Sequence, residues 1–307
     1  MKQTRILFIL ALFAVLLPVA SGGEEKPAAP SINLSGNSTG DLMYGIIMAN
    51  FYNRSLENTG AAILDLVENH SRPGEPLRLR LAMTLAKLGG PEAEKALELL
   101  ESWEGDFDAS EDEAMRLGNM GDLNLYYLGR PAAAVDLYKR AMETFPPFEQ
   151  HILSSLFSAY ANSAELFDIA KMKEYLNRQG EYRSEVQYFI NKTVAFAADG
   201  YSEEARGNAL YLENNLDDEG GVMLVYAAPA WGWLGDVDKV VEYLEPGLQN
   251  LAIIYAPAGF RLYCDWLRQS PAYNGIREDE KFKAMWERLY AFEPEARGSN
   301  IMVPPFE

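Results

Sequence analysis

Four turn marks frame this chain. Gly129, Ala164, Gly200 and Gly235 stand 35, 36 and 35 residues apart. Each separates two stretches of helical length whose apolar residues recur at steps of three and four. A period of this size, carried by helix–turn–helix units, narrows the choice of fold sharply. One such unit cannot bury its apolar face alone, so several must stack and share a core that runs from neighbour to neighbour. Strand signals are sparse. The short apolar run Leu251–Tyr255 reads as strand or helix equally well.

The clearest unit is Gly121–Pro146, GDLNLYYLGRPAAAVDLYKRAMETFP. Asp122–Leu128 closes a first helix, Gly129-Arg130-Pro131 turns the chain, and Ala132–Thr144 forms a second helix. Ala134, Tyr138 and Ala141 share one face of that second helix. The two alanines are small where another helix must come close, Tyr138 fills the gap between them, and Pro146 ends the helix. Other copies are degenerate. Around Gly200 they keep Phe196, Ala205 and Ala209; around Gly235 they keep Trp231, Val240, Leu244 and Gly247.

This pattern resembles the tetratricopeptide repeat, with its turn glycine, A-x3-aromatic, small residue and proline on a period of about 34 residues. The resemblance covers most of Asp41–Tyr290. It implies an all-α fold, a right-handed superhelix (α-solenoid) of about six helical hairpins closed by a capping helix. The pairs expected before the best copy are Asp41–Arg54 with Thr59–His70 and Glu75–Leu88 with Glu92–Trp103. Ser110-x-x-Glu113 has the form of a capping box opening the next helix. After it come Phe148–Asn162 with Glu165–Gln179, Ser184–Ala198 with Ser202–Glu213, and Val222–Leu234 with Val237–Leu248. Pro229 should kink its helix or mark its true start. The segment Ser270–Tyr290 resembles the P-x-F-x-x-L-R-x-D-P-x-F stretch that ends such arrays in bacterial regulators and cyclase-associated proteins. Pro271, Tyr273, Ile276, Arg277, Asp279 and Phe282 match it, while Glu280 replaces the second proline. Asp279 can cap a last helix with Phe282, Met285, Trp286 and Leu289 on its apolar stripe.

The ends read differently. Residues 1–22 have the form of a secretory signal: Lys2 and Arg5, the apolar run Ile6–Leu17, then small residues. The run is short for a membrane span, which takes about 20 residues, and no cysteine lies nearby for a lipid anchor. Residues 23–40 read as a flexible leader, 41–290 as the repeat domain and 291–307 as a tail. The expected location is secreted or periplasmic, with no membrane insertion after cleavage. Five Asn-x-Ser/Thr triplets begin at Asn33, Asn37, Asn53, Asn69 and Asn191, and they matter only in a eukaryotic secretory route.

Chemistry is thin. Only His70 and His151 occur, in no metal spacing, and Cys264 is the single cysteine. Beside Leu262, Trp266 and Leu267, its thiol reads as buried. The acidic groups Glu104–Asp108, Glu111–Glu113 and Asp217–Glu219 lack the spacing of a calcium loop. There is no G-x-S-x-G elbow and no phosphate-binding glycine loop. No catalytic residue, cofactor or metal is therefore expected. With 27 basic against 45 acidic side chains, the charge of −18 repels nucleic acid. It favours a basic partner, if it does more than keep the protein soluble.

In tetratricopeptide arrays the first helix of each hairpin lines a groove that takes a peptide or a partner helix. Carried onto this chain, the resemblance assigns that role to Arg116, Asn119, Leu123, Tyr126 and Tyr127. Gln187 and Ile190 follow around Gly200, with Val222, Val225 and Trp233 around Gly235. The resulting expectation is an exported, non-enzymatic scaffold that binds a protein or peptide. The rival readings are an α/α-toroid enzyme acting on carbohydrate through paired carboxylates, and a structural module that assembles with itself.

Overall fold

The computed structural model describes residues 59–70, 76–103, 110–180, 185–215, 222–252 and 255–293. The expected signal segment, the leader, the helix Asp41–Arg54 and nearly all of the tail lie outside them. Among the described residues the chain is helical throughout, with thirteen α-helices and no strand. They are α1 (Thr59–His70), α2 (Pro76–Ala86), α3 (Pro91–Glu101), α4 (Ser110–Asp122), α5 (Pro131–Thr144), α6 (Glu149–Asn162) and α7 (Ile169–Gly180). After these come α8 (Glu185–Ala198), α9 (Ser202–Asn215), α10 (Val222–Trp233), α11 (Val237–Leu251), α12 (Pro257–Arg268) and α13 (Glu280–Ala291).

Helices joined by short turns pack as pairs: α2 with α3, α4 with α5, α6 with α7, α8 with α9, and α10 with α11. Each pair also touches the next through α5–α6, α7–α8 and α9–α10, so one apolar core runs along the series. Gly129, Gly200 and Gly235 all hold positive φ, as the turn spacing requires. In the clearest hairpin Ala134, Tyr138 and Ala141 are all fully buried. The Tyr138 ring lies against Gly121 of α4, where a Cβ would collide with it. The tail helix α13 is capped by the Asp279 carboxylate, which accepts from the Lys281 amide at 2.8 Å. Its stripe Phe282, Met285, Trp286 and Leu289 is buried as the pattern predicts.

Several details depart from the sequence reading. The second turn mark, Ala164, sits in a longer connection, and α7 begins at Ile169 rather than Glu165. Ser163 is extended there, and Asp168 accepts from the Lys171 amide at 3.1 Å, opening the helix four residues late. Glu113 grips Arg116 through both carboxylate oxygens, at 2.7 and 2.6 Å, in place of the expected capping box. The helix α10 runs through Pro229 without ending. The first helix of the clearest hairpin ends in a π-helical turn, Leu123–Tyr127, in which the Leu128 amide donates to the Leu123 carbonyl at 3.0 Å.

The largest addition is α12. After α11 the chain returns to the start of the series, and the Ala256 amide donates to the Lys87 carbonyl at 3.0 Å. Gly259 and Gly89 pass so closely that a Cβ on either would meet the other segment's backbone. From there α12 crosses the π-helical turn. Ser270 then donates to the Asn162 side chain at 3.0 Å, with both residues buried, and the Ala272 carbonyl packs over Gly232. One continuous stretch, 255–273, thus touches the hairpins of α2, α4, α6 and α10 in turn.

Candidate functional site

The π-helical turn determines what α4 presents. Its extra residue per turn lets the adjacent Tyr126 and Tyr127 both reach the segment that crosses them. Tyr126 meets Trp266 edge-on with ring centroids 4.8 Å apart, and lies 6.3 Å from Tyr263. Tyr127 lies 6.1 Å from Tyr255, which stacks on Tyr263 at 5.5 Å. Aromatic pairs in these geometries add stability beyond their buried area. Of the positions that the resemblance assigns to a partner, Tyr126 and Tyr127 are therefore packed against this chain's own 255–268 stretch.

Beneath the tyrosines lies Asp122. It accepts from the Tyr138 hydroxyl at 2.6 Å and from Ser155 at 3.2 Å, joining α4, α5 and α6. No cation is paired to it among the described residues. Burial pushes its carboxyl up to about 6, and the two hydrogen bonds only partly offset that. Burial also pushes up the hydroxyls of Tyr126, Tyr127, Tyr226, Tyr255 and Tyr263, with the Asp122 or neighbouring tyrosine charges adding to it. All of these tyrosines stay neutral and act as hydrogen-bonding and packing groups.

Beside this cluster is a crevice lined by Ser158, Asn162, Gln187, Asn191, Tyr226 and Trp266, with room for about one water molecule. Gln187 donates to Asn191 at 3.1 Å, and Asn191 donates to Gln179 at 2.8 Å. Asn191 is buried, so its Asn-x-Thr triplet is shut off from the surface in the folded chain. The Trp266 indole N–H is buried here without a hydrogen-bond partner among the described residues.

The other assigned residues are spread along the series. Arg116 holds Glu113 and also donates to the Leu100 carbonyl at 3.1 Å, tying α4 to the end of α3. Asn119 donates to Met115 one turn back, at 2.9 Å. Leu123, Ile190 and Val225 are core residues, and Val222 opens α10. Trp233 packs on Phe167 at 5.2 Å, far along the series from Tyr126. Cys264 is buried within α12, and burial drives its thiol well above the ordinary range. Among the described residues no three His, Cys, Asp or Glu side chains gather closely enough to hold a metal ion. No described helix is long and apolar enough to cross a membrane.

A second surface has no counterpart in the sequence reading. Four large apolar side chains are prominently exposed among the described residues: Val186 (42%), Tyr201 (51%), Leu210 (42%) and Tyr211 (54%). All four belong to the α8–α9 hairpin. Phe189 packs on Tyr211 at 5.3 Å and Phe196 on Tyr201 at 5.8 Å. The Lys192 ammonium lies 5.6 and 5.4 Å from the two phenylalanine rings and links the pairs by cation–π attraction. The signal was present in the sequence as Leu210-Tyr211 on a helix whose core stripe is Ala205, Ala209 and Leu212. The groove assignment draws only on the first helix of each hairpin and passes this second helix over.

The sequence matches no protein-family model, and no curated protein is similar enough to count as a relative.

Proposed function

We propose that this chain is an exported, non-catalytic interaction protein built as a tetratricopeptide-like superhelix, with its docking surface on the outer face of the α8–α9 hairpin. One observation carries the reading. The exposed large apolar side chains fall together on a single hairpin instead of being scattered, and clustered exposed apolar area marks contact surfaces. Tyrosine is also among the residue types that dominate binding energy. Tyr126 and Tyr127, which the resemblance assigns to a groove, pack against the stretch that leads into and forms α12, and this favours another face for a partner. Displacing α12 would expose Phe260, Tyr263, Cys264 and Leu267 and break the Lys87–Ala256 and Ser270–Asn162 hydrogen bonds. Loss of that much buried surface costs several kcal/mol, about 1.5–3 for each large side chain.

The test is affinity capture by the tagged protein from its native extract, with a second copy of the chain counted as a partner. A Tyr201→Ala/Tyr211→Ala variant should lose the captured partner while keeping its helical signal, because both rings are about half exposed. Retention of the same partner by that variant, with loss in Tyr126→Ala/Tyr127→Ala, would return the site to the groove and refute the outer-face reading. Salt supplies a second axis. The charge of −18 draws a basic partner most strongly at low ionic strength, so binding to one weakens as salt is added.

A further inference from the structure

Far from the outer face of α8–α9, the crevice beside the tyrosine cluster holds a donor that the described chain leaves unused. The Trp266 indole N–H is buried there with no hydrogen-bond partner among the described residues. A buried N–H in that state is costly, because it has given up its bond to solvent and gained none. Packing alone does not call for the group. Contact with the Tyr126 and Tyr263 rings is open to a phenylalanine as well.

Four helices each bring a polar side chain to the crevice: Ser158 from α6, Gln187 from α8, Tyr226 from α10 and Trp266 from α12. Gln187 spends its amide nitrogen on Asn191 at 3.1 Å. Its carbonyl oxygen receives no donor among the described residues and keeps its accepting capacity. Val194, Val225 and Leu267, all buried, wall the other side, so a molecule seated here can bond only toward the polar groups. Size and chemistry together select the occupant. The space takes about one water molecule and nothing larger. A small cation is disfavoured, because the indole hydrogen turns positive charge toward the site. The occupant must accept from the indole and donate to the oxygens around it.

We propose that the crevice is the seat of one ordered water molecule. It accepts from the Trp266 indole N–H and donates to the Gln187 carbonyl oxygen and to the hydroxyl of Ser158 or Tyr226. A water bonded in this way belongs to the fold as much as a side chain does. It ties α12 to α8 and to α6 or α10, beside the direct bond from Ser270 to Asn162 at 3.0 Å. The helix that returns across the hairpins is thus held by a solvent bridge as well as by its aromatic contacts.

The test is a crystal structure of the full chain at a resolution that shows ordered solvent, joined to water-selective NMR on tryptophan-labelled protein. In the crystal a density peak should lie about 2.7–3.2 Å from the Trp266 indole nitrogen, and within the same range of the Gln187 carbonyl oxygen. In solution the Trp266 indole proton, identified by its disappearance in Trp266→Phe, should show NOE and ROE cross-peaks to water of opposite sign. That pattern marks a water held far longer than surface solvent. Should the variant fail to fold, the contact between the Trp266 and Tyr126 rings, 4.8 Å between centroids, identifies the proton instead. A crystal in which the indole N–H meets a protein acceptor, or faces no density, overturns the proposal. So does an indole proton without those cross-peaks. A cross-peak relayed through the Ser158 or Tyr226 hydroxyl would appear without the density peak, and that outcome overturns it too.

Discussion

Asp122 should make this fold more stable as the solution becomes more acidic. Its carboxyl sits among Tyr126, Tyr138 and Ser155 with no cation paired to it among the described residues, and burial raises it from 3.8 to about 6. An acid whose folded value lies above its unfolded value binds its proton more tightly in the folded state. Stability therefore rises as pH falls through the folded value, and the gain is complete once pH is below the unfolded one. A rise of that size corresponds to about 3 kcal/mol. The residue as a whole is only half-buried, so residual solvent access trims this to about 2 kcal/mol. The window runs from about pH 7 down to about pH 4. His151 works in the opposite sense. Burial lowers its imidazole below 6.5 despite Glu111 nearby, so it loses stability on acidification. A wild-type profile alone would mix the two.

The clean comparison is Asp122→Asn, whose amide oxygen can still accept from Tyr138. Urea unfolding of both proteins at several pH values gives the difference free of His151. Near pH 8 the variant should be at least as stable as wild type, and by about pH 4 wild type should have gained about 2 kcal/mol on it. A difference flat to within about 0.5 kcal/mol, or one of opposite slope, would refute the claim that Asp122 is buried uncompensated.

Two further outcomes follow from the same packing. Glycine-to-alanine substitution should have opposite signs at two sites. Gly259→Ala places a methyl against the Lys87 carbonyl, where only backbone could yield, and should cost about 3 kcal/mol in thermal or urea unfolding. Gly207→Ala meets nothing and should gain up to about 1 kcal/mol, so equal effects at the two sites would break the argument. Cys264 should resist a thiol reagent in the native protein and react fully in denaturant, because its sulfur is buried in α12 and kept protonated. Rapid native labelling would mean that α12 lifts away readily.

Why the hairpins were legible and the helix across them was not has a physical reason. Gly129, Gly200 and Gly235 reveal themselves because left-handed backbone favours one residue type. The Ala134–Tyr138–Ala141 stripe is visible because close helix contact needs small residues at fixed steps. Asp279 and the stripe after it follow from capping and period alone. These signals are local. The seat of α12 is not: Tyr126 and Trp266 are 140 residues apart in sequence, and nothing in either segment names the other. The apolar stripe Phe260, Tyr263, Cys264 and Leu267 shows a helix that needs a partner face, without saying which. Aromatic residues on the first helices of an array serve a bound peptide and a bound helix of the same chain equally well, because the contact chemistry is identical. The two differ in what the linking chain can reach. Here α11 ends at Leu251, and the chain regains Lys87 by Ala256, so the connection is short and α12 is held at high effective concentration. A free peptide would have to outcompete that tether as well as the buried surface. On the proposed reading, the same reasoning directs the search for a partner to the α8–α9 hairpin, where Val186, Tyr201, Leu210 and Tyr211 are exposed.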